Sequence, residues 1–173
     1  ELNSSHTGFG TFGDDENVAL SNRTVEPGIV FDNKNPFTVK RIVARGPADK
    51  KDINIQPGDV LVKVNGNDVN TALDRSMYFT QPSPDRELRL TFKNATSNYD
   101  VNIHPATNIS NALYDEWIDA NQKSVDDKSK NKIAYTHMKN MGTPELEAFF
   151  KDIANDFYKK DALILDLRYN TGG

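Results

Sequence analysis

The chain has 173 residues, 36% apolar and 27% charged, with a formal net charge of −4 and no cysteine. The length suits one domain, or a small domain plus part of another. The composition excludes disulfides, thiolate metal sites and a cysteine nucleophile, and offers no basic patch dense enough for nucleic acid. No apolar run approaches membrane-spanning length.

Residues 1–16 are rich in Gly, Ser and Asp and read as a mobile linker around Ser5-His6 and Gly8, Gly10 and Gly13. Taken alone, His6 is an exposed loop histidine. Residues 17–105 read as one unit. Gly28–Asp32 and Phe37–Ala44 are β-rich, joined by the turn Asn33-Lys34-Asn35-Pro36. Gly46–Asp49 is a loop leading into a short helical turn. Pro57-Gly58-Asp59 launches strand Val60–Val64, and Asn65-Gly66 is a strong hairpin signal. Thr71–Gln81 carries Leu73, Met77 and Tyr78 at helical spacing, with Asn70 or Thr71 as N-cap and Pro82 and Pro84 as its end. Glu87–Lys93 alternates Leu88, Leu90 and Phe92, and Tyr99–Ile103 is its hairpin partner.

Residues 106–173 change character. Ala106–Asn131 is a polar helix with a narrow apolar stripe at Leu113, Trp117, Ile118, Ala120 and Val125, in which Trp117 is a packing anchor. Lys132–Met138 is a strand, and His137 near its end reads as structural or edge-exposed. Thr143-Pro144 starts a helix whose face holds Leu146, Phe149, Phe150, Ile153 and Phe157. Ala162–Leu165 is a short apolar run that reads as a buried strand. It turns polar at Asp166, Arg168 and Asn170 and ends in Gly172-Gly173. Strand, helix, strand implies a crossover and a parallel pair, whose carboxyl ends, Met138–Gly142 and Arg168–Gly173, are where α/β geometry gathers sites. From the residues alone, an ordinary strand and turn is the plainer account of that end, and an oxyanion-binding glycine loop is the functional one.

Three stretches carry a family resemblance. Leu165-Asp-Leu-Arg-Tyr-Asn-Thr-Gly-Gly173 resembles the Asp-Leu-Arg-x-Asn-x-Gly-Gly signature of the tail-specific (C-terminal processing) serine peptidases and their tricorn relatives. Leu2–Gly8 is similar to the tricorn segment in which a serine directly precedes the catalytic histidine. Pro57-Gly58-Asp59-Val60-Leu61 with Val64-Asn65-Gly66 resembles a bacterial-type PDZ domain. The resemblance implies an α+β PDZ domain over 17–105, preceded by the end of a catalytic subdomain and followed by the start of an α/β peptidase core. It implies His6 as general base, Ser5 as its orienting neighbour, and Gly172 or Gly173 as oxyanion donor. It places the nucleophilic serine beyond Gly173, so the fragment itself is expected to be inactive.

For the PDZ domain, the resemblance implies peptide addition at Gly28–Asp32 beside the helix, with Gly28, Ile29 and Val30 receiving a carboxylate and Leu73 and Met77 facing it. Pro27 departs from that pattern by removing one N–H donor. The expected partner is a peptide or unfolded protein, with no cofactor, and a homo-oligomeric full-length protein is compatible. Cytoplasm and periplasm fit equally. The rival readings are a non-catalytic peptide-binding module and a peptidase homologue that has lost its nucleophile.

Overall fold

The computed structural model describes residues 22–155 and 157–173, together with Gly10 and Gly13. Its strands are β1 (Arg23–Thr24), β2 (Ile29–Phe31), β3 (Val39–Ile42), β4 (Val60–Val64), β5 (Asn67–Asp68), β6 (Thr80–Gln81), β7 (Leu88–Lys93), β8 (Asn98–Ile103), β9 (Ile133–His137) and β10 (Ala162–Asp166). Its α-helices are α1 (Ser110–Ser129) and α2 (Thr143–Asn155).

A four-stranded antiparallel sheet, ordered β5-β4-β7-β8, forms the back of the first unit. The Asn65-Gly66 turn makes its first hairpin. Both residues have positive φ, 51° and 84°, as a two-residue hairpin turn of the twist-matched kind requires. Alternation along β7 sends Leu88, Leu90 and Phe92 inward, and none retains solvent contact. They meet Phe31, Phe37, Val39, Leu61 and Phe79 in one core. The small sheet β2-β3 joins the larger one through Val39 N–H to the Asp59 carbonyl (2.8 Å) and Leu61 N–H to the Phe37 carbonyl (2.9 Å).

Two expectations for this unit need correction. Thr71–Gln81 is not an α-helix. Only Arg75–Phe79 is helical, as a 3₁₀ turn, and Thr80-Gln81 is strand β6. The N-cap is Asp74, whose carboxylate accepts the Ser76 N–H at 2.8 Å. The cause is local. Asn70 Oδ1 accepts from Ala72 N–H and Asp74 Oδ1 from Ser76 N–H, so two side chains in succession take N–H groups that a continuous helix would use. The Gly46–Asp49 loop likewise continues as turns and does not enter a helix.

The second unit begins with α1, which packs on β9. The helix stops at Lys130, in the left-handed region with its N–H on the Asp126 carbonyl. β9 and β10 pair in parallel, from Ala162 opposite Ile133 to Asp166 opposite His137, with α2 as the crossover. The expected strand is present, yet it is not buried. Leu163, Ile164 and Leu165 stay 40–42% exposed, and Asp166 is the buried member at 7%. A two-stranded sheet leaves β10 with one unpaired edge, so its apolar residues lack a second neighbour among the described residues. None of the described helices is long and apolar enough to cross a membrane.

The two units touch through α1. Glu116 accepts from Arg41 Nη1 at 2.6 and 2.8 Å and from the Ala44 N–H at 2.7 Å, while Arg45 pairs with Asp119 at 2.7 Å.

Candidate functional site

Two places gather polar backbone and chemistry-bearing side chains. The first is a cleft of about 500 Å³ between β2 and the Arg75–Phe79 turn. Within the β2–β3 pair, Val43 N–H donates to the Gly28 carbonyl and Asp32 N–H to the Thr38 carbonyl. Every second residue of a strand faces the same neighbour, so Ile29 and Phe31 turn their N–H groups to the open edge. Gly28, at φ +78°, has its N–H without an acceptor among the described residues. Val30 lies opposite Arg41 and gives its N–H to β3. Ile29 and Leu73 line the cleft. Met77 is 61% exposed and is not part of the lining. Tyr78, at the same helical spacing, packs edge-on against Phe37 in the core.

Sequence reasoning missed Arg75. Its guanidinium lies 4.4 Å above the Phe31 ring and donates to the Pro36 carbonyl. Burial holds its pKa below the ordinary arginine value, opposed by the charges of Asp74 and Glu26. A cation stacked on an aromatic face is favourable once desolvated. The helical reading of Thr71–Gln81 rested on the apolar spacing of Leu73, Met77 and Tyr78, which carries no signal for a cation stacked on a ring 44 residues earlier.

The second place is the carboxyl end of the parallel pair. Asp166 Oδ2 accepts from the Tyr135 hydroxyl at 2.7 Å, and both carboxylate oxygens accept from Arg168. Hydrogen bonds from Arg168 hold the Asp166 carboxyl well below the usual carboxylate range, against the opposing effect of burial. The same carboxylate and burial push the Tyr135 hydroxyl up to about 12, burial being the larger cause. Asp166 and Arg168 stand two apart, so a strand period alone would have put them side by side.

Beyond Arg168 the chain runs into the two glycines. Asn170 anchors it: its Nδ2 donates to the Met138 carbonyl at 2.8 Å, and its Oδ1 accepts the Gly172 N–H at 2.8 Å. Met141 N–H donates to the Gly172 carbonyl (2.9 Å) and Thr171 N–H to that of Lys139 (3.0 Å). Gly172 has φ +80°. A Cβ on Gly173 would come within 2.8 Å of Met141 Cβ, so this position is kept to glycine by close approach. The Gly172 N–H is therefore engaged, whereas that of Gly173 has no acceptor among the described residues. His137 does have partners: its Nε2 is 2.8 Å from the Arg168 carbonyl oxygen, and its ring meets Tyr114 and Trp117. Ser5 and His6 lie outside the described residues.

The PDZ domain family matches residues 5–93, just over half of the 173. The chain belongs to the PDZ domain family. Around that PDZ domain the likeness is to tricorn proteases, as the motifs implied. A tricorn protease homolog of Saccharolobus solfataricus is 22% identical over 129 residues, covering 75% of this chain and 12% of that protein. The tricorn protease of Thermoplasma acidophilum is 37% identical over 60 residues, covering 35% of this chain and 6% of that protein. A crystal structure of tricorn protease shares the fold, with a TM-score of 0.63 at 21% identity, over 89% of this chain and 15% of that one. The chain thus spans about a tenth or less of these curated relatives. Its homology is to a peptidase lineage, and its PDZ domain is a protease-associated one.

Proposed function

We propose that the chain is the PDZ-containing segment of a serine peptidase that hydrolyses peptides or unfolded proteins. The observation that supports this most is the glycine loop. It ends a parallel strand, is pinned by Asn170, and presents the Gly173 N–H without an acceptor among the described residues. A donor pre-aimed in this way suits an oxyanion at no further ordering cost.

In this mechanism His6, oriented by Ser5, takes the proton of a serine hydroxyl supplied from outside these residues. None of the serines here sits in a Gly-x-Ser-x-Gly elbow. The serine oxygen attacks the peptide carbonyl, and the tetrahedral oxyanion accepts the Gly173 N–H, with Gly172 shaping the turn that aims it. His6 then returns the proton to the leaving amine, and water resolves the acyl-enzyme. The PDZ cleft binds an extended stretch of the same substrate along the open edge of β2. Gly28 and Ile29 would supply N–H groups to it, and Leu73 lines the cleft. By this reading residues 1–16, 17–105 and 106–173 are the end of a catalytic subdomain, the PDZ domain and the start of the α/β core.

The test is hydrolysis of short fluorogenic peptides by the longer natural chain, beside His6→Ala. The expected result is a loss on the order of a thousandfold or more with folding intact. Equal cleavage by both forms would remove His6 from the site. The open β2 edge also suits a peptide-binding module without catalysis, and a natural chain that binds peptides but cleaves none would favour that reading.

A further inference from the structure

We propose that His137 is the positioning residue of the glycine loop, holding the strained Arg168–Tyr169 turn from which Asn170 and the two glycines run on to Met141. The inference rests on the peptidase reading of that loop.

Leu167–Asn170 is a four-residue turn closed by the Asn170 N–H on the Leu167 carbonyl at 3.1 Å. Of its two central residues, Tyr169 has φ +60° and Arg168 does not have positive φ. Positive φ at the second central residue alone marks a type II turn, a position that favours glycine. Tyrosine there is strained, and the strain persists only where neighbours over-determine the conformation. A type II turn differs from type I in the orientation of its central peptide, here the Arg168 carbonyl with the Tyr169 N–H. That carbonyl oxygen is 2.8 Å from His137 Nε2.

A carbonyl can only accept, so Nε2 carries the proton in this contact. The Tyr114 hydroxyl lies 3.3 Å from Nδ1 and 3.1 Å from Nε2. The imidazole is held edge-on by Trp117 at 5.2 Å, and Trp117 also meets Tyr169 at 5.7 Å and carries the Arg168 guanidinium at 4.8 Å. Turn and glycines are one chain of contacts, since the residue that closes the turn, Asn170, also accepts the Gly172 N–H. Without the Nε2 donor the strained Tyr169 backbone loses its side-chain hold, and the turn it belongs to is the one from which Asn170 reaches the Gly172 N–H.

The experiment uses the full-length natural chain. His137→Phe keeps an aromatic ring beside Trp117 but loses the donor. His137→Gln restores an N–H donor. His137→Phe combined with Tyr169→Gly makes the same turn strain-free. The readouts are kcat and KM on a fluorogenic peptide and inhibition by a peptide aldehyde, whose adduct places an oxyanion in the site. The expected H137F result is a kcat loss of roughly ten- to a hundredfold with KM within about twofold. Aldehyde affinity should fall by the same factor, with most of both recovered in H137Q and in H137F/Y169G. Unchanged kcat in H137F, or a loss that neither companion variant restores, overturns the proposal and leaves His137 as filler. A wild-type chain that hydrolyses nothing removes the peptidase reading and this inference together, whereas an active wild type with an indifferent H137F removes the inference alone. Should H137F not fold, imidazole ¹⁵N spectra of the wild type decide: a single Nε2–H tautomer with a slowly exchanging proton is expected, and a tautomer mixture overturns the proposal.

Discussion

Arg168 reaches back two residues and clasps the carboxylate of Asp166, its Nε 2.9 Å from Oδ1 and 3.0 Å from Oδ2. The carboxylate is buried, so its charge is tolerable only because Arg168 and Tyr135 satisfy it. The pair sits at the point where strand becomes glycine loop, which makes the loop's footing electrostatic.

That footing should be acid-labile. The folded pKa of Asp166 is depressed below its unfolded value, so its contribution is complete above about pH 4 and fades as the pH falls toward the folded value. Asp32 and Asp74 are lowered too, chiefly by hydrogen bonds from Asn35 and from Ser76 in their own turns. Comparison with Asp166→Asn isolates the Asp166 share. Urea midpoints measured at pH 7, 5 and 3 should fall more steeply for the wild type than for D166N. Parallel slopes would show that Asp166 is not linked to folding.

Gly28→Ala should destabilise the chain by about 1–3 kcal/mol. The new Cβ would sit 2.7 Å from Pro47 Cδ and 2.9 Å from Pro47 N, at φ +78°. Both backbone and neighbour resist, since the obstruction is a proline ring and not a flexible side-chain end. Thermal denaturation gives the cost, and a midpoint equal to wild type would contradict the geometry.

Glu116→Ala should loosen the PDZ unit from α1. It removes the partner of Arg41 and of the Ala44 N–H at once. Charge-assisted hydrogen bonds of this kind contribute about 1.5–3 kcal/mol each. Hydrogen exchange at Ala44 should quicken by roughly tenfold or more as that protection is lost. Exchange at Leu90, deep in the PDZ core, should not change.

Two phenylalanines should separate sharply. Phe92 is fully buried in the PDZ core, whereas Phe150 on α2 is 59% exposed. Phe92→Ala should cost about 3–5 kcal/mol. Phe150→Ala should stay within about 0.5 kcal/mol in this chain, as surface substitutions do. Denaturant midpoints check both.

Much of the scaffold was legible residue by residue. Val60–Val64 has the bounds its apolar run and flanking turns predict, and Asn65-Gly66 makes the turn that its sequence demands. The alternation of Leu88, Leu90 and Phe92 gave the core face of β7. These are short-range rules, with the deciding residues within a few positions of one another. Thr71–Gln81 failed for an equally local reason that apolar spacing does not register, namely the competing side-chain acceptors of Asn70 and Asp74.

By itself the sequence determined the strand and turn pattern, the PDZ likeness and the glycine-terminated loop, because periodicity, proline and glycine act through the chain's own geometry. Only the tertiary structure decided that Arg75 stacks on Phe31, that His137 meets the Arg168 carbonyl, and that Leu163–Leu165 stay exposed while Asp166 is buried. Those outcomes depend on which groups face each other across 29 or more residues, where burial and pairing outweigh any preference of the local chain.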